Sequence, residues 1–321
     1  MPYLIGTDEA GYGPFLGPLV IATSVWRVPD LETDLAERFQ AGAALAGAAP
    51  LELPVVIDDS KRVYKRGRGL GSLEQTVLPA LSTTLPTGKH STGWRDVWQE
   101  MAPGSERTLD QLPWYRDYES PVPTGLDAEV VEKVTEQLQD FWDHLGVQLL
   151  KLQAVVLFPE QFNEESEQLG GKGALLTHHT LALVRRQLAT LEDEAVLIQC
   201  DKHGGRNHYA PALQHTFPEY LLEVCKEGRA QSVYRWGSPP SRTEIRFTAK
   251  GDAFVPAALA SMAAKYLREL AMQAFNTYWC ERLPDLKPTA GYPADARRFK
   301  REIAQLQAAE AISDRSLWRN R

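Results

Sequence analysis

Two adjacent carboxylates, Asp8 and Glu9, end a short apolar segment, Tyr3-Leu4-Ile5-Gly6, and run into Ala10-Gly11-Tyr12-Gly13-Pro14. Carboxylates at the end of a rigid strand can hold a hard divalent cation, because Mg²⁺ and Mn²⁺ prefer oxygen ligands. The glycines permit a tight turn and a close approach of a ligand to the main chain. A surface turn bearing two solvated acids has the same pattern, and the segment alone leaves both readings open. Two more acids stand at element boundaries. Asp201 follows the apolar run Val196-Leu197-Ile198-Gln199-Cys200, although many strands end in Asp. Asp252 lies between Gly251 and a long alanine-rich stretch, where capping a helix is the competing role. A cleft gathering all four acids would repel itself unless cations were bound. Two Mg²⁺ ions about 4 Å apart can activate a water and stabilise the leaving oxygen of a phosphodiester.

Basic residues form local clusters on a chain whose formal net charge is −7. Taken globally, that charge argues against a nucleic-acid partner. A polyanion, however, responds to local patches. Lys61, Arg62, Lys65, Arg66 and Arg68 crowd one segment, and Lys202, His203, Arg206 and His208 form a second. Arg297, Arg298, Lys300, Arg301, Arg315, Arg319 and Arg321 form a third, for which a solvated face is the preferred reading. The loop from Asp201 to Tyr209 places bases beside a candidate metal ligand. Lys202 and Arg206 are therefore candidate phosphate contacts, and His203 or His208 a weaker candidate for proton transfer.

The elements that must position these groups can be read from periodicity. Residues 3–7 and 18–28 read as strands joined by the glycine turn. A helix over 30–50 fades into an alanine-rich loop, and 55–57 reads as a short buried strand or run-in before Asp58-Asp59-Ser60-Lys61. Ser72 and Gln75 have capping-box spacing, predicting a helix to about Leu81. Residues 83–125 carry five prolines and the aromatics Trp94, Trp98, Trp114 and Tyr115, which suggests a packed but irregular insertion. Residues 127–145 are helical by period. Strands are expected at 147–158, 195–200, 219–224, 230–236 and 243–248. Helices are expected at 160–169, 174–192, 252–281 and 295–311. The order predicts an α/β chain with a mixed sheet flanked by helices. A single domain is expected over 1–321, with 83–146 inserted and 282–321 a helical extension.

Composition is ordinary for a globular chain: 321 residues, 43% hydrophobic and 24% charged. No run is apolar enough to span a membrane, and the first residues lack signal-peptide character. Three widely spaced cysteines, Cys200, Cys225 and Cys280, argue against a structural zinc site and for a reducing compartment, so a cytoplasmic location is expected.

Five segments, in this order, resemble the type 2 ribonucleases H, the ribonuclease HII and HIII family. They are Gly6-Thr7-Asp8-Glu9-Ala10-Gly11-Tyr12-Gly13-Pro14 with Gly17-Pro18-Leu19-Val20, Asp59-Ser60-Lys61, the apolar strand ending in Asp201, Gly251-Asp252-Ala253 with Ala260-Ser261-Met262-Ala263-Ala264-Lys265-Tyr266-Leu267-Arg268-Glu269, and Gly291-Tyr292-Pro293. The resemblance covers about two thirds of the chain and leaves 83–146 without a counterpart. It implies a ribonuclease H-like fold. It also implies cleavage of the RNA strand of RNA–DNA hybrids, or at single ribonucleotides in duplex DNA, with Mg²⁺ or Mn²⁺; a monomer is expected separately. By position, Asp8, Glu9, Asp201 and Asp252 would be the catalytic, metal-binding carboxylates, with two ions. Lys61, Ser261 and Lys265 would face substrate phosphates, and Tyr292 would pack on a sugar.

The family's Gly-Arg-Gly turn is Gly11-Tyr12-Gly13 here. In that family the turn reads the 2′-hydroxyl that separates RNA from DNA. The glycines preserve the main-chain contacts, while Tyr12 replaces the arginine and can stack or donate a hydrogen bond. After Tyr292 the family's usual Thr and His are missing, with Ala294 and Arg297 roughly in their places. Two alternatives follow. One is a nuclease of the same fold that cuts structured RNA or DNA without reading a ribonucleotide. The other is a non-catalytic nucleic-acid-binding or assembly protein that uses the aromatic insertion as its interface.

Overall fold

The computed structural model describes residues 1–45, 55–65, 67, 69–86, 89–249 and 254–320, with backbone only for 41–45. Expectations that fall on Arg66, Arg68, Gly251, Asp252, Ala253 and Arg321, and on the 46–54 loop, lie outside the described residues.

Seven strands form one mixed sheet: β1 (Tyr3–Ala10), β2 (Leu19–Arg27), β3 (Gln148–Leu157), β4 (Val196–Asp201), β5 (Glu223–Lys226), β6 (Gln231–Trp236) and β7 (Thr243–Thr248). Their spatial order is β3-β2-β1-β4-β7-β6-β5. β1 pairs antiparallel with β2 and parallel with β4, and β4 pairs parallel with β7. The mixed sheet flanked by helices expected from the sequence is therefore what the chain adopts. β2 is buried along nearly its whole length, as a strand covered on both faces must be. One face carries the helix Val255–Arg282, and the other carries Lys172–Leu188, whose Leu181 and Val184 pack with Ile5 and Ile198.

The long helix lies unusually close to β1, and a glycine makes that possible. A Cβ at Gly6 would stand 2.0 Å from both the Ala257 nitrogen and the Pro256 carbonyl carbon. Pro256 sits in the first turn, where a missing N–H costs nothing. The Ser24 hydroxyl of β2 donates to the Pro256 carbonyl at 2.7 Å, fixing the helix start over the sheet. Because side chains alternate along a strand, Leu4, Gly6 and Asp8 share the face turned to this helix.

Residues 83–125 carry short helices rather than irregular structure, and the helix expected over 127–145 is present. The helices are Trp94–Met101, Glu106–Gln111, Pro113–Arg116 and Ala128–His144. Pro113 opens a helix instead of interrupting one. Trp94, Trp98, Trp114 and Tyr115 are buried in the same core as Phe275 and Trp279, with Trp114 edge-on to Phe275 at 5.3 Å. Glu74 is fully buried and ties this segment to the rest. It accepts from the Thr124 nitrogen (2.7 Å), the Thr124 hydroxyl (2.8 Å), the Gly125 nitrogen (2.8 Å) and the Tyr266 hydroxyl (3.2 Å). A buried carboxylate is tolerated when its lone pairs are met in this way.

Other expectations shift. Residues 55–57 form no strand. The helix expected from Ser72 begins at Gly71 with Leu70 at its cap position and no side-chain cap bond, because Ser72 already lies inside the first turn. Two short helices, Ala210–Thr216 and Asp314–Leu317, carried too little period to be seen in sequence. Among the described residues, no helix is long and apolar enough to cross a membrane.

Candidate active site

β1 and β4 lie side by side and run in the same direction, so their carboxyl ends deliver Asp8, Glu9 and Asp201 to one edge of the sheet. Ligand sites in open α/β sheets collect at such ends. Thr7, Asp8, Asp59, Asp201, Ala257, Ala258 and Ser261 line a cavity of about 10 Å³, roughly the space of one small ion or water. The small alanines of the long helix leave that space, and Ser261 closes one side of it. The Ser261 hydroxyl hydrogen-bonds Asp8 and stands 3.0 Å from the Ser60 hydroxyl.

Burial raises the Asp8 carboxyl from its ordinary 3.8 to about 6, with the Asp201 charge adding to the rise and Ser261 and Lys61 opposing it. Burial raises Glu9 from 4.5 to about 8, reinforced by Asp8 and Asp201 and opposed by Lys61. Buried like charges favour the proton unless positive charge arrives. Oxygen donors sharing a small cavity under mutual repulsion are a suitable set for a hard divalent cation. Among the described residues, no three His, Cys, Asp or Glu side chains converge into a complete ligand group. Asp252 lies outside them, in the stretch between Thr248 at the end of β7 and Phe254 at the helix cap.

Asp59, whose part was open from sequence, lines the cavity and also caps the helix Ser60–Val63 by accepting from the Lys61 nitrogen at 3.0 Å. Asp58 turns away to the Asp59 nitrogen and Arg62. Lys61 is exposed at the site's edge, and its charge reaches Asp8 and Glu9. Lys265 lies one helical turn beyond Ser261. Its ammonium pairs with Glu269 at 2.6 Å and sits 4.7 Å over the Tyr64 ring, so any phosphate contact by Lys265 competes with that pair.

The loop after Asp201 divides its bases. Lys202 is committed internally: its ammonium donates to the carbonyls of Gly228 (2.7 Å) and Arg206 (3.2 Å), to Asn207 Oδ1 (3.1 Å) and to the Ser232 hydroxyl (3.0 Å). It builds the loop rather than facing a substrate. His203 is buried between Tyr209 and Phe247, and burial lowers it to about 3, so it is neutral and unsuited to shuttling protons. The Thr177 hydroxyl donates to the Gly173 carbonyl, which leaves His203 Nδ1 to donate to Thr177. His208 is exposed and pairs with Glu227 at 2.6 Å. Arg206 remains half-buried, with its charge felt at Tyr12.

Tyr12 leans over this loop. Its hydroxyl would lie 3.3 Å from a Cβ at Gly204, and Lys172 stands 4.6 Å over its ring. Gly11 has φ +91°, and a Cβ there would lie 2.5 Å from the Pro18 carbonyl oxygen and 2.6 Å from Arg268 Nε, so only glycine fits. Gly13 faces open space. Tyr292 is exposed beside this turn, since the Phe15 nitrogen donates to the Gly291 carbonyl at 2.7 Å.

No protein-family model and no curated sequence matches the chain. Solved structures do show a likeness. A ribonuclease H2 from Pyrococcus horikoshii is 15% identical with a TM-score of 0.44, the match covering 98% of this chain and 92% of that one. The ribonuclease HII in a PCNA complex from Archaeoglobus fulgidus is 13% identical with a TM-score of 0.43, covering 99% and 94%. The Bst ribonuclease HIII in complex with Mn²⁺ is 13% identical with a TM-score of 0.39, covering 98% and 65%. Likenesses this distant assign no residue role and no activity to the chain.

Arg319, read as part of a solvated basic face, is buried beneath the glycine turn, as is Arg268. Nothing in sequence separated Arg319 from its exposed neighbour Arg315, since contacts far along the chain bury it.

Proposed function

We propose that this chain is a metal-dependent endonuclease acting on the RNA strand of RNA–DNA hybrids, or on phosphodiesters at ribonucleotides in duplex DNA. The observation that carries the reading is that Asp8 and Asp201, at adjacent strand ends, share one cavity with Asp59, while Glu9 stands close enough to feel both charges and Lys61 lies at the edge. Asp8 and Asp201, with Glu9 and the sequence-assigned Asp252, would hold Mg²⁺ or Mn²⁺. When bound, the ions supply an activated water and neutralise charge on the leaving oxygen. Ser261 orients the Asp8 carboxyl. Lys61 and Arg206 offer positive charge to the substrate backbone, which fixes register without reading sequence. Tyr12, with Gly11 and Gly13, presents a ring and main-chain donors to a sugar, and Tyr292 flanks it.

The deciding experiment compares matched duplexes carrying zero, one or several ribonucleotides, each with Mg²⁺ and with Mn²⁺. Cleavage confined to ribonucleotide-containing strands, leaving a 3′-hydroxyl and lost in Asp8→Asn, is the expected result. An Asp8→Asn variant as fast as the parent would sink the proposal. A second reading, cleavage without regard to ribonucleotides, draws on the Tyr12 ring standing where the resemblance expects a guanidinium. Equal cutting of the all-DNA duplex would establish it. Absence of divalent-metal binding by calorimetry would return the chain to a binding-only role.

A further inference from the structure

The glycine turn is gripped from below by a residue more than 300 positions away in sequence. Arg319 Nη2 donates to the Gly11 carbonyl at 2.5 Å and to the Pro14 carbonyl. The Arg319 nitrogen donates to the Phe15 carbonyl at 2.8 Å, and the guanidinium lies 4.7 Å over the Phe162 ring. The segment that carries it is pinned on both sides. Asn163 Nδ2 donates to the Trp318 carbonyl at 2.8 Å, Asn163 Oδ1 accepts from the Asn320 nitrogen at 2.7 Å, and Trp318 packs on Phe15 at 5.0 Å.

This grip is an expensive arrangement if it serves only to hold the fold. Arg319 is 1% exposed and, among the described residues, has no carboxylate partner and no partner for Nε or Nη1. Burial, together with the neighbouring Arg268 charge, lowers its pKa to about 9. A buried cation left without a counter-charge is costly.

Peptide geometry shows what the grip sets. Across a trans peptide the carbonyl and the following N–H point in opposite directions. With the Gly11 carbonyl held down on Arg319, the Tyr12 N–H is aimed up, away from the guanidinium. Gly13, the next residue of the turn, is exposed, and a Cβ there would touch nothing within 4 Å. With the Pro14 carbonyl held down likewise, the Phe15 N–H is delivered to the Gly291 carbonyl, seating Gly291-Tyr292 beside the turn. A cation on a carbonyl also polarises that peptide and strengthens its N–H as a donor.

We infer that Arg319 is a positioning residue for substrate discrimination, holding the Gly11-Tyr12-Gly13 turn and Tyr292 in the one arrangement that presents the Tyr12 N–H to a ribose hydroxyl. The inference rests on the nuclease reading above and goes beyond it in assigning specificity to a residue that touches no substrate. Lysine cannot replace it fully, because a freely rotating ammonium on a flexible stem lacks the planar guanidinium that lies on the Phe162 ring and aims both Nη2 hydrogens at the two carbonyls.

The test uses the full chain with Arg319→Met, Arg319→Lys and Asn163→Ala. Affinity is read by fluorescence anisotropy in Ca²⁺ for a one-ribonucleotide duplex and its all-DNA match. Hydrogen exchange is followed over the peptide from Glu9 to Gly17. Arg319→Met is expected to lower the ribonucleotide preference about tenfold, the scale of one charge-assisted hydrogen bond, while all-DNA affinity stays within about twofold. Exchange at the turn is expected to quicken, and Arg319→Lys to recover part of the preference. A folded Arg319→Met protein that keeps the full preference overturns the inference. If Arg319→Met does not fold, Asn163→Ala decides: an unchanged preference overturns the inference and a reduced one upholds it. A parent protein that prefers neither duplex overturns the functional reading instead, and the exchange data alone then decide whether Arg319 sets the turn.

Discussion

Replacing Gly6 with alanine should break the site without touching a charged group. The new Cβ would lie 2.0 Å from two backbone atoms of the long helix, whereas ordinary contact begins near 3.4 Å, so strand and helix must part by about 1.4 Å. Backbone cannot rotate out of the way as a side chain can. Overpacking of this kind costs about 3 kcal/mol, and more where relaxation is blocked. For a chain of 321 residues that is a fall in Tm of about 4 °C, from an unfolding entropy of about 2.1 cal/mol/K per residue. The sign is diagnostic, because Gly→Ala in an unobstructed strand stabilises by reducing the entropy of the unfolded chain. Gly6 and Asp8 share the face turned to the helix, so the same displacement pulls Asp8 from Ser261 and opens the cavity between them. Differential scanning calorimetry and titration with Mn²⁺ would measure both effects. Gly13→Ala is the control: it meets nothing within 4 Å and should change stability by less than about 0.5 kcal/mol. A Gly6→Ala protein that melts at or above the parent, with unchanged Mn²⁺ affinity, would refute the argument that close packing of the helix on β1 builds the site.

Three further outcomes are expected. Asp8 and Glu9 are raised to about 6 and about 8 from 3.8 and 4.5, so between pH 4 and 8 the folded, metal-free chain binds more protons than the unfolded one. Its stability should therefore be full below about pH 4 in this respect and fall as pH rises through 6 to 8. The added stability from Mg²⁺ should grow across the same window, and melting curves that are flat in pH and indifferent to metal would contradict it. Asp8→Asn should cut metal-dependent cleavage by more than about 100-fold yet raise the melting temperature of the metal-free protein, because it removes one of the repelling charges. Glu74→Ala should destabilise by about 3 kcal/mol, since it strands the buried Thr124, Gly125 and Tyr266 donors; urea unfolding with a midpoint equal to the parent's would exclude that account.

The end of β4 was legible because its apolar run, Val196 to Cys200, stops at Asp201, whereas β1 continues past its apolar run through Asp8 and Glu9 to Ala10, where pairing with β2 rather than hydrophobicity sustains it. The helix bearing Ser261 and Lys265 was legible from its length and alanine content. The helix at 127–145 was legible by its period, but the helices within 83–125 were not, because their prolines stand at helix starts and between short helices, where the period is too brief to register. His203 and Lys202 looked like chemistry from sequence because both follow a metal-ligand candidate. Burial neutralises the first, and four internal acceptors occupy the second.

By itself the sequence determined which residue types the site can draw on and the order of the elements presenting them: carboxylates at strand ends, a glycine turn, and a helix of small residues. Only the tertiary structure decided which of those residues meet. It set β1 beside β4 in parallel, so that two acids nearly two hundred residues apart share one cavity. It added Asp59 to that cavity and turned Asp58 away. It also carried Arg319 from an outwardly solvated basic run to the underside of the glycine turn. The physical reason is that periodicity reports which face of an element is buried, whereas the partner on that face is fixed by contacts between segments far apart in the chain.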